Sequence, residues 1–267
     1  MCAWPVDAHV HLHEPGRVAV SLDAAARNFR AAGGRGDGCL GGLLLAQAAD
    51  ERIFEHLCET RSLGSWSFAR ATGEPETLIA RCEDSCLAVT CGRQVRASEG
   101  LEVLALGTLA RIEDGRPLAE AIEAARRSGG LPVLPWGFGK WLGARGGCVR
   151  SVLAALGPEI LFVGDNGGRL ALAGEPAALA EARHRGFRVL PGSDPFPLAG
   201  DYRRIGGFGF LADVSVEEDR PWGALRAWLL DKRSTPRAYG RACKPMRFMV
   251  NQAGIQVRNR LLPKRRR

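Results

Sequence analysis

Residues 6–16 read VDAHVHLHEPG. Histidines stand at every second place, His9, His11 and His13, behind Asp7 and ahead of Glu14. Alternate residues of a strand share a face, so His9 and His11 can converge on one ion if a strand carries them. The apolar residues around them, AWPVDAHVHL over 3–12, support such a strand. His13 falls beyond it and reads as a loop residue. Whether the pair is a site or only a polar strand end depends on what the rest of the chain brings to it.

Working outward, six more apolar runs have strand length: CLGGLLLAQ (39–47), CLAVTCGRQV (86–95), LEVLALGT (101–108), LPVLPW (131–136), EILFVGD (159–165) and FRVLPGSD (187–194). Near-continuous runs of this kind suit strands buried on both faces. Helical patterns lie between them, at 22–32, 50–60, 118–128, 149–156 and 176–185. The alternation predicts an α/β fold with a mostly parallel sheet. One hairpin interrupts it, at TCGRQVRASEGLEVLALG (90–107). His56 and His184 fall on helical stretches and read as structural.

Ligands of parallel α/β sheets bind at the carboxyl ends of the strands. That rim would collect Asp7, His9 and His11 from the first strand, Asp165 and Asn166 from FVGDNGG, and Asp194 from LPGSDPFPL. Neutral imidazoles with carboxylates suit zinc, iron or manganese. Three glycine-rich rim segments, PWGFGKWLGARG (135–146), GDNGGR (164–169) and GDYRRIGGFGF (200–210), add Lys140, Arg145, Arg169, Arg203 and Arg204. Backbone amides with lysine and arginine make anion sites. The expected partner is therefore a small anionic substrate.

The chain has 267 residues and a net charge of +8, unevenly spread. From Lys232 to Arg267 there are 12 Lys and Arg and no acid, leaving 25 cations and 29 anions, or −4, on residues 1–231. This divides the chain into a body, 1–231, and a basic helical extension, 232–267. In the extension Met246, Met249, Val250, Ala253, Val257 and Leu261 recur at helical spacing. The spacing predicts a helix with its apolar face packed on the body. Peripheral contact with an anionic membrane is the alternative for a basic amphipathic helix. Nucleic acid is disfavoured, because aromatic platforms do not alternate with the tail's cations. No apolar run approaches the roughly 20 residues of a membrane span. The opening MCAWPVDAHV lacks a charged n-region and an apolar h-region, so the expected location is cytoplasmic, membrane-peripheral at most. The eight cysteines are scattered and read as reduced, buried thiols. The cluster CEDSCLAVTC (82–91) has neither redox nor zinc-ribbon spacing.

In chain order these motifs resemble the PHP family, named after polymerase and histidinol phosphatase. VDAHVHLHEPG resembles its opening D-x-H-x-H strand, and CGRQVRASEGLEVLALGT its glutamate-bearing hairpin. LPVLPWGFG stands where the family has a strand ending in His-Pro. ILFVGDNGGRL resembles a strand ending in an acid and Asn, and FRVLPGSDPFPL the closing G-S-D strand. The resemblance spans about residues 4–200. It implies a distorted (β/α)7 TIM-like barrel and a phosphoesterase-type, metal-dependent hydrolase. It carries over His9, His11 and Asp194 as metal ligands, with Asp7 as a ligand or an orienter of an imidazole. The ligand set departs from the family at Gln94, Trp136 and Phe196, which stand where a bridging glutamate, a His-Pro and a histidine are usual. A single divalent ion, zinc, manganese or iron, is what remains feasible. The expected catalytic residues are Asp194 and Lys140, and the expected substrate contacts are Gln94, Trp136, Lys140, Asp165, Asn166 and Arg203. A catalytically inactive PHP-like binding or regulatory module is the first alternative. An amidohydrolase or TatD-like hydrolase is the second; it shares a first-strand H-x-H but needs histidines on middle strands, where this chain has none.

Overall fold

The computed structural model describes residues 3–34, 38–243 and 245–261. The chain begins β1 (Trp4–Val10), α1 (Val18–Ala31), β2 (Gly42–Leu45) and α2 (Ile53–Thr60). An antiparallel run follows: β3 (Ser62–Leu63), β4 (Trp66–Arg70), β5 (Thr77–Cys82) and β6 (Ser85–Thr90). Next come the hairpin β7 (Gly92–Arg96) and β8 (Glu102–Leu106), then α3 (Leu118–Arg127), β9 (Leu131–Pro135) and α4 (Gly143–Ala155). The chain continues through β10 (Phe162–Asn166), α5 (Ala177–His184) and β11 (Val189–Gly192). It closes with β12 (Phe208–Ala212), α6 (Pro221–Leu230), β13 (Arg237–Gly240) and α7 (Pro245–Leu261).

The strands do not close into a barrel. They form two mixed sheets, an eight-stranded one in the order β13-β12-β1-β2-β6-β5-β4-β3 and a five-stranded one in the order β11-β10-β9-β8-β7. This corrects the expected (β/α)7 TIM-like barrel. The physical reason lies in the strand pairing. A barrel of that kind needs a helical crossover after each parallel strand. Here only β1–β2, β2–β6, β9–β10 and β10–β11 pair in parallel among the described strands. The β3–β6 run and the β12 and β13 strands extend the larger sheet by antiparallel neighbours instead. The run CLAVTCGRQV, which reads as one strand, is two: β6 and β7 lie in different sheets, with Cys91 between them.

Apolar layers explain the stacking. Val6, Ala8, Leu44 and Phe210 of the large sheet meet Leu104, Val133, Phe162 and Leu190 of the small one, with Trp222, Leu225 and Leu229 of α6 closing one end. The outer face of the large sheet packs on α1 and α2 through Phe29, Leu43, Phe54 and Leu57. The outer face of the small sheet packs on α3, α4 and α5 through Val103, Ile122, Val149 and Leu179. Each large apolar side chain taken fully from water contributes about 1.5–3 kcal/mol. The start of α6 is fixed by Glu74, whose carboxylate accepts from the backbone N–H of Trp222 and of Gly223, both at 2.7 Å. A carboxylate there satisfies orphan donors and opposes the helix dipole.

The tail helix reverses the expected polarity. Met246, Met249 and Val250 are 82%, 68% and 55% exposed. The face toward the body is anchored by polar groups, beside Phe248, whose ring meets Phe138 edge-on at 5.9 Å. Arg247 donates to Asp201 Oδ1 at 3.1 and 3.2 Å, and Asn251 Nδ2 does so at 3.3 Å. Asp201 is fully buried and also accepts from Phe196 N at 2.7 Å and from Arg204 at 3.2 Å. A buried carboxylate outbids methionine for this helix face, because its lone pairs must be satisfied. The side chains of Val257, Arg258, Asn259 and Leu261 and the PKRRR end lie outside the described residues. Deleting residues 244–267 takes two of the four donor groups from Asp201. The expected loss is about 1–3 kcal/mol, a fall in Tm of roughly 2–12 °C by scanning calorimetry. An unchanged Tm would show that α7 is not docked there.

Candidate metal centre and anion pocket

The histidines are aimed by an irregularity in β1. Val6 and Ala8 point into the core between the sheets, whereas Val10 packs on the outer side with α1. Regular alternation would put all three on one face. The register against β2 slips between Asp7 and Val10, where three steps of β1 match two of β2. This bulge switches the phase, so that His9 and His11 face Gln94 and Asp194 from the other sheet.

Four acceptor-capable atoms then meet. His9 Nε2 lies 3.1 Å from His11 Nε2, 3.2 Å from Gln94 Oε1 and 3.6 Å from Asp194 Oδ1. His11 Nε2 lies 3.5 Å from the same Asp194 oxygen. The other Asp194 oxygen accepts from Asn166 Nδ2, and Asn166 Oδ1 accepts from Gly168 N at 2.6 Å. Asn166 thus fixes the carboxylate and leaves Oδ1 for the histidines. Asp194 has a left-handed backbone, φ 43°, and its N–H donates to His9 O at 2.8 Å. Gly192 makes that approach possible. A Cβ there would stand 2.4 Å from His9 N, backbone against backbone.

Burial holds His9 below the ordinary histidine range, against the pull of Asp194. A neutral imidazole is what a metal requires. Burial also opposes protonation of His11, but Glu51 and Asp194 outweigh it and hold this imidazole above its usual range. For Asp194 burial is outweighed by His9, His11, Lys140 and Arg204, which hold its carboxyl below the usual range. His11 Nδ1 is buried without a hydrogen-bond partner, 3.9 Å from Glu51 Oε2. His13 lies in the loop after β1. Its Nε2 contacts Pro195 O at 2.8 Å, which makes Nε2 the N–H donor, and its Nδ1 faces Glu51 Oε1 at 3.3 Å. Two groups of ligand-type atoms therefore share His11: His9, His11 and Asp194, and His11, His13 and Glu51.

Glu51 was not among the residues singled out from the sequence. The helical pattern starting at 50 hides it, because α2 begins only at Ile53. Its signal was position, in the loop that follows a parallel strand at the rim of the histidines. Arg93 donates to Glu51 O at 3.0 Å, and Ala48 N donates to Glu51 Oε2 at 2.9 Å, so this carboxylate is held in place.

Asp7 is placed differently from the imidazoles. Its buried carboxylate accepts from Ser193 N and Gly206 N, both at 2.8 Å, and from His9 N at 3.3 Å. It pins β1 to the segments after β11 and before β12. Burial pushes its pKa up to about 6 despite these hydrogen bonds.

Beside the histidines opens a cavity of about 440 Å3. His9, Asp194, Trp136, Phe138, Lys140, Asn166, Arg169 and Phe196 line it, with Arg96 and Glu102. Lys140 Nζ is 2.6 Å from Glu102 Oε2, and Arg169 is bidentate on Asp165 at 2.7 and 3.0 Å. Asp165 thus orients Arg169 from behind the cavity wall. Gln94 reaches the site through His9. Arg203 is not brought to the cavity. Its guanidinium lies over the ring of Tyr202, 5.8 Å from the centroid.

No family model matches the chain, and no curated protein matches it. Among solved structures, PsfC from Pseudomonas syringae PB-5123 superposes with a TM-score of 0.60 at 13% identity, over 98% of this chain and 100% of that one. The novel lesion-specific endonuclease PfuEndoQ from Pyrococcus furiosus superposes with a TM-score of 0.54, also at 13% identity, over 88% of this chain and 57% of that one. At such identities the likeness is one of fold. Among the described residues no helix is long and apolar enough to cross a membrane.

Proposed function

We propose that the chain is a PHP-like, metal-dependent hydrolase of a small anionic ester, with phosphate esters as the first class to test. One observation carries this reading. His9, His11 and Asp194 converge within 3.1–3.6 Å, and His9 and Asp194 line a cavity that also presents Lys140, Arg96 and Arg169. The donor set fits a divalent ion. Its facing atoms are imidazole nitrogens and a carboxylate oxygen, and burial disfavours the proton on His9. Asp194, His9 and His11 would hold it. When bound, such an ion supplies an activated water and offsets charge on the ester oxygens.

The chain's own residues do the rest. Lys140 and Arg169 hold the substrate anion, each already oriented by a carboxylate, Glu102 and Asp165. Trp136, Phe138 and Phe196 give the cavity apolar walls that exclude water from the organic part of the substrate. Glu51 Oε2 stands 3.9 Å from the unpartnered His11 Nδ1, and on closer approach it would accept that N–H and fix the tautomer that presents Nε2. An endonuclease among the structural neighbours is consistent with hydrolysis in general terms. The cavity's volume of about 440 Å3 suits a small substrate. The test is metal analysis of the purified protein, followed by a panel of phosphate monoesters and diesters. Substoichiometric metal and no turnover would leave the inactive binding module as the reading.

The outward stripe of α7 supports a second reading, of the tail alone. Exposed Met246, Met249 and Val250 lie within a segment, 232–267, that has 12 cations and no acid. That combination suits an anionic bilayer surface. The full chain is expected to co-sediment with vesicles containing phosphatidylserine, and to be released by salt. Equal binding to zwitterionic vesicles, or none to either, overturns this reading.

A further inference from the structure

At the end of the large sheet opposite the histidines, Cys39 precedes β2 and Cys86 lies in β6. Leu40 N donates to Cys86 O at 2.7 Å and Ala88 N to Gly41 O at 3.0 Å, so the ladder holds the two backbones side by side. The sulfurs lie 2.7 Å apart, and both residues are buried. Trp4 fixes the Cys39 side, its indole N–H donating to Cys39 O at 2.9 Å. On the other side Cys86 donates to Glu218 Oε1 at 3.5 Å, and Glu218 pairs with the exposed Arg81. The two thiols are thus one surface ion pair away from solvent. A soft metal ion would draw on the same three ligand atoms. Yet Arg81 already engages Glu218, and sulfurs this close leave no room for an ion between them.

We propose that Cys39 and Cys86 form a redox-sensitive dithiol that a hydroperoxide converts to a disulfide. Cys86, on the solvent side, attacks one peroxide oxygen. Its S–O bond forms as the O–O bond breaks, and the departing oxygen leaves with the Cys86 proton, as water when the oxidant is hydrogen peroxide. Cys39 then attacks the sulfenic sulfur. The S–S bond forms, the S–O bond breaks, and hydroxide leaves with the Cys39 proton as a second water. The thiols lose two electrons and the peroxide gains them. The neighbouring Cys86 and burial hold the Cys39 thiol well above the usual range, so Cys39 gives up its proton only as it attacks.

The full-length protein is treated with excess hydrogen peroxide, denatured, blocked with N-ethylmaleimide and digested without reductant. Mass spectrometry is expected to find one linked peptide pair holding Cys39 and Cys86, lighter by two hydrogens and separated by dithiothreitol. Oxidation is also expected to raise Tm by roughly 5 °C or more, since the bond closes a long chain segment. Cys39→Ser should lose both effects and leave Cys86 as a sulfenic acid that dimedone traps. Should that variant not fold, the wild-type peptide map decides alone. Recovery of both cysteines as blocked thiols, or of Cys86 overoxidised with Cys39 blocked, overturns the proposal. So does protection of both thiols that ends on adding a chelator, which would assign a metal site instead.

Discussion

Asp194→Ala is expected to lose bound divalent metal and hydrolytic turnover together. Asp194 is the anion of the group it forms with His9 and His11, and its free oxygen faces both imidazoles at 3.5–3.6 Å. Removing residues that merely orient metal ligands costs about 10–100-fold in affinity or activity. Losing the charged ligand itself should cost at least about 100-fold, and metal by mass spectrometry should fall in step with rate. Asn166→Ala is the graded companion, because it frees the carboxylate without removing it. Its loss should sit in the range of about 10–100-fold. Turnover that survives Asp194→Ala would place the reacting centre elsewhere. Metal that survives it, with turnover gone, would move the ion toward Glu51 and His13.

Asp7→Ala is expected to act on stability before it acts on metal. The buried carboxylate satisfies Ser193 N and Gly206 N, and alanine leaves both without their acceptor. Two stranded buried donors cost about 1–3 kcal/mol each. The expected loss of about 3 kcal/mol or more corresponds to a Tm lower by roughly 6–12 °C in a chain of this size. Metal content per folded molecule, measured well below that Tm, should be retained. The opposite pattern, metal lost with Tm unchanged, would make Asp7 a ligand or an orienter of the imidazoles, the roles that resemblance to PHP proteins implies.

The contrast between Asp7 and Glu51 shows what a sequence can carry. Alternation around VDAHVHLHEPG shows a strand and a shared face for His9 and His11. It does not show the bulge, which depends on the register against β2, a strand more than thirty residues away. The hairpin at residues 90–107 was legible, since its turn and both apolar runs are local. The antiparallel β3–β6 run was not, because WSFAR and TLIARC are short and mix polar with apolar residues, and so do not read as near-continuous buried strands. Missing those strands is what made a closed barrel look sufficient. The tail failed in the reverse direction. Its periodicity was real and α7 forms, but periodicity cannot tell which face is inward when a buried Asp201 waits on the body.

The close approach between β1 and β11 has a dynamic consequence. The two strands belong to different sheets and are not joined by a ladder. At the histidines they meet through Asp194 N on His9 O and Ser193 N on Asp7. A seam with so few rungs opens at lower free energy than the sheets on either side. Native-state hydrogen exchange at the amides of Ser193 and Asp194 should therefore report the breathing of the site itself. Any ligand that bridges His9 and Asp194 should slow exchange at those amides far more than at the amides of β5 or β9.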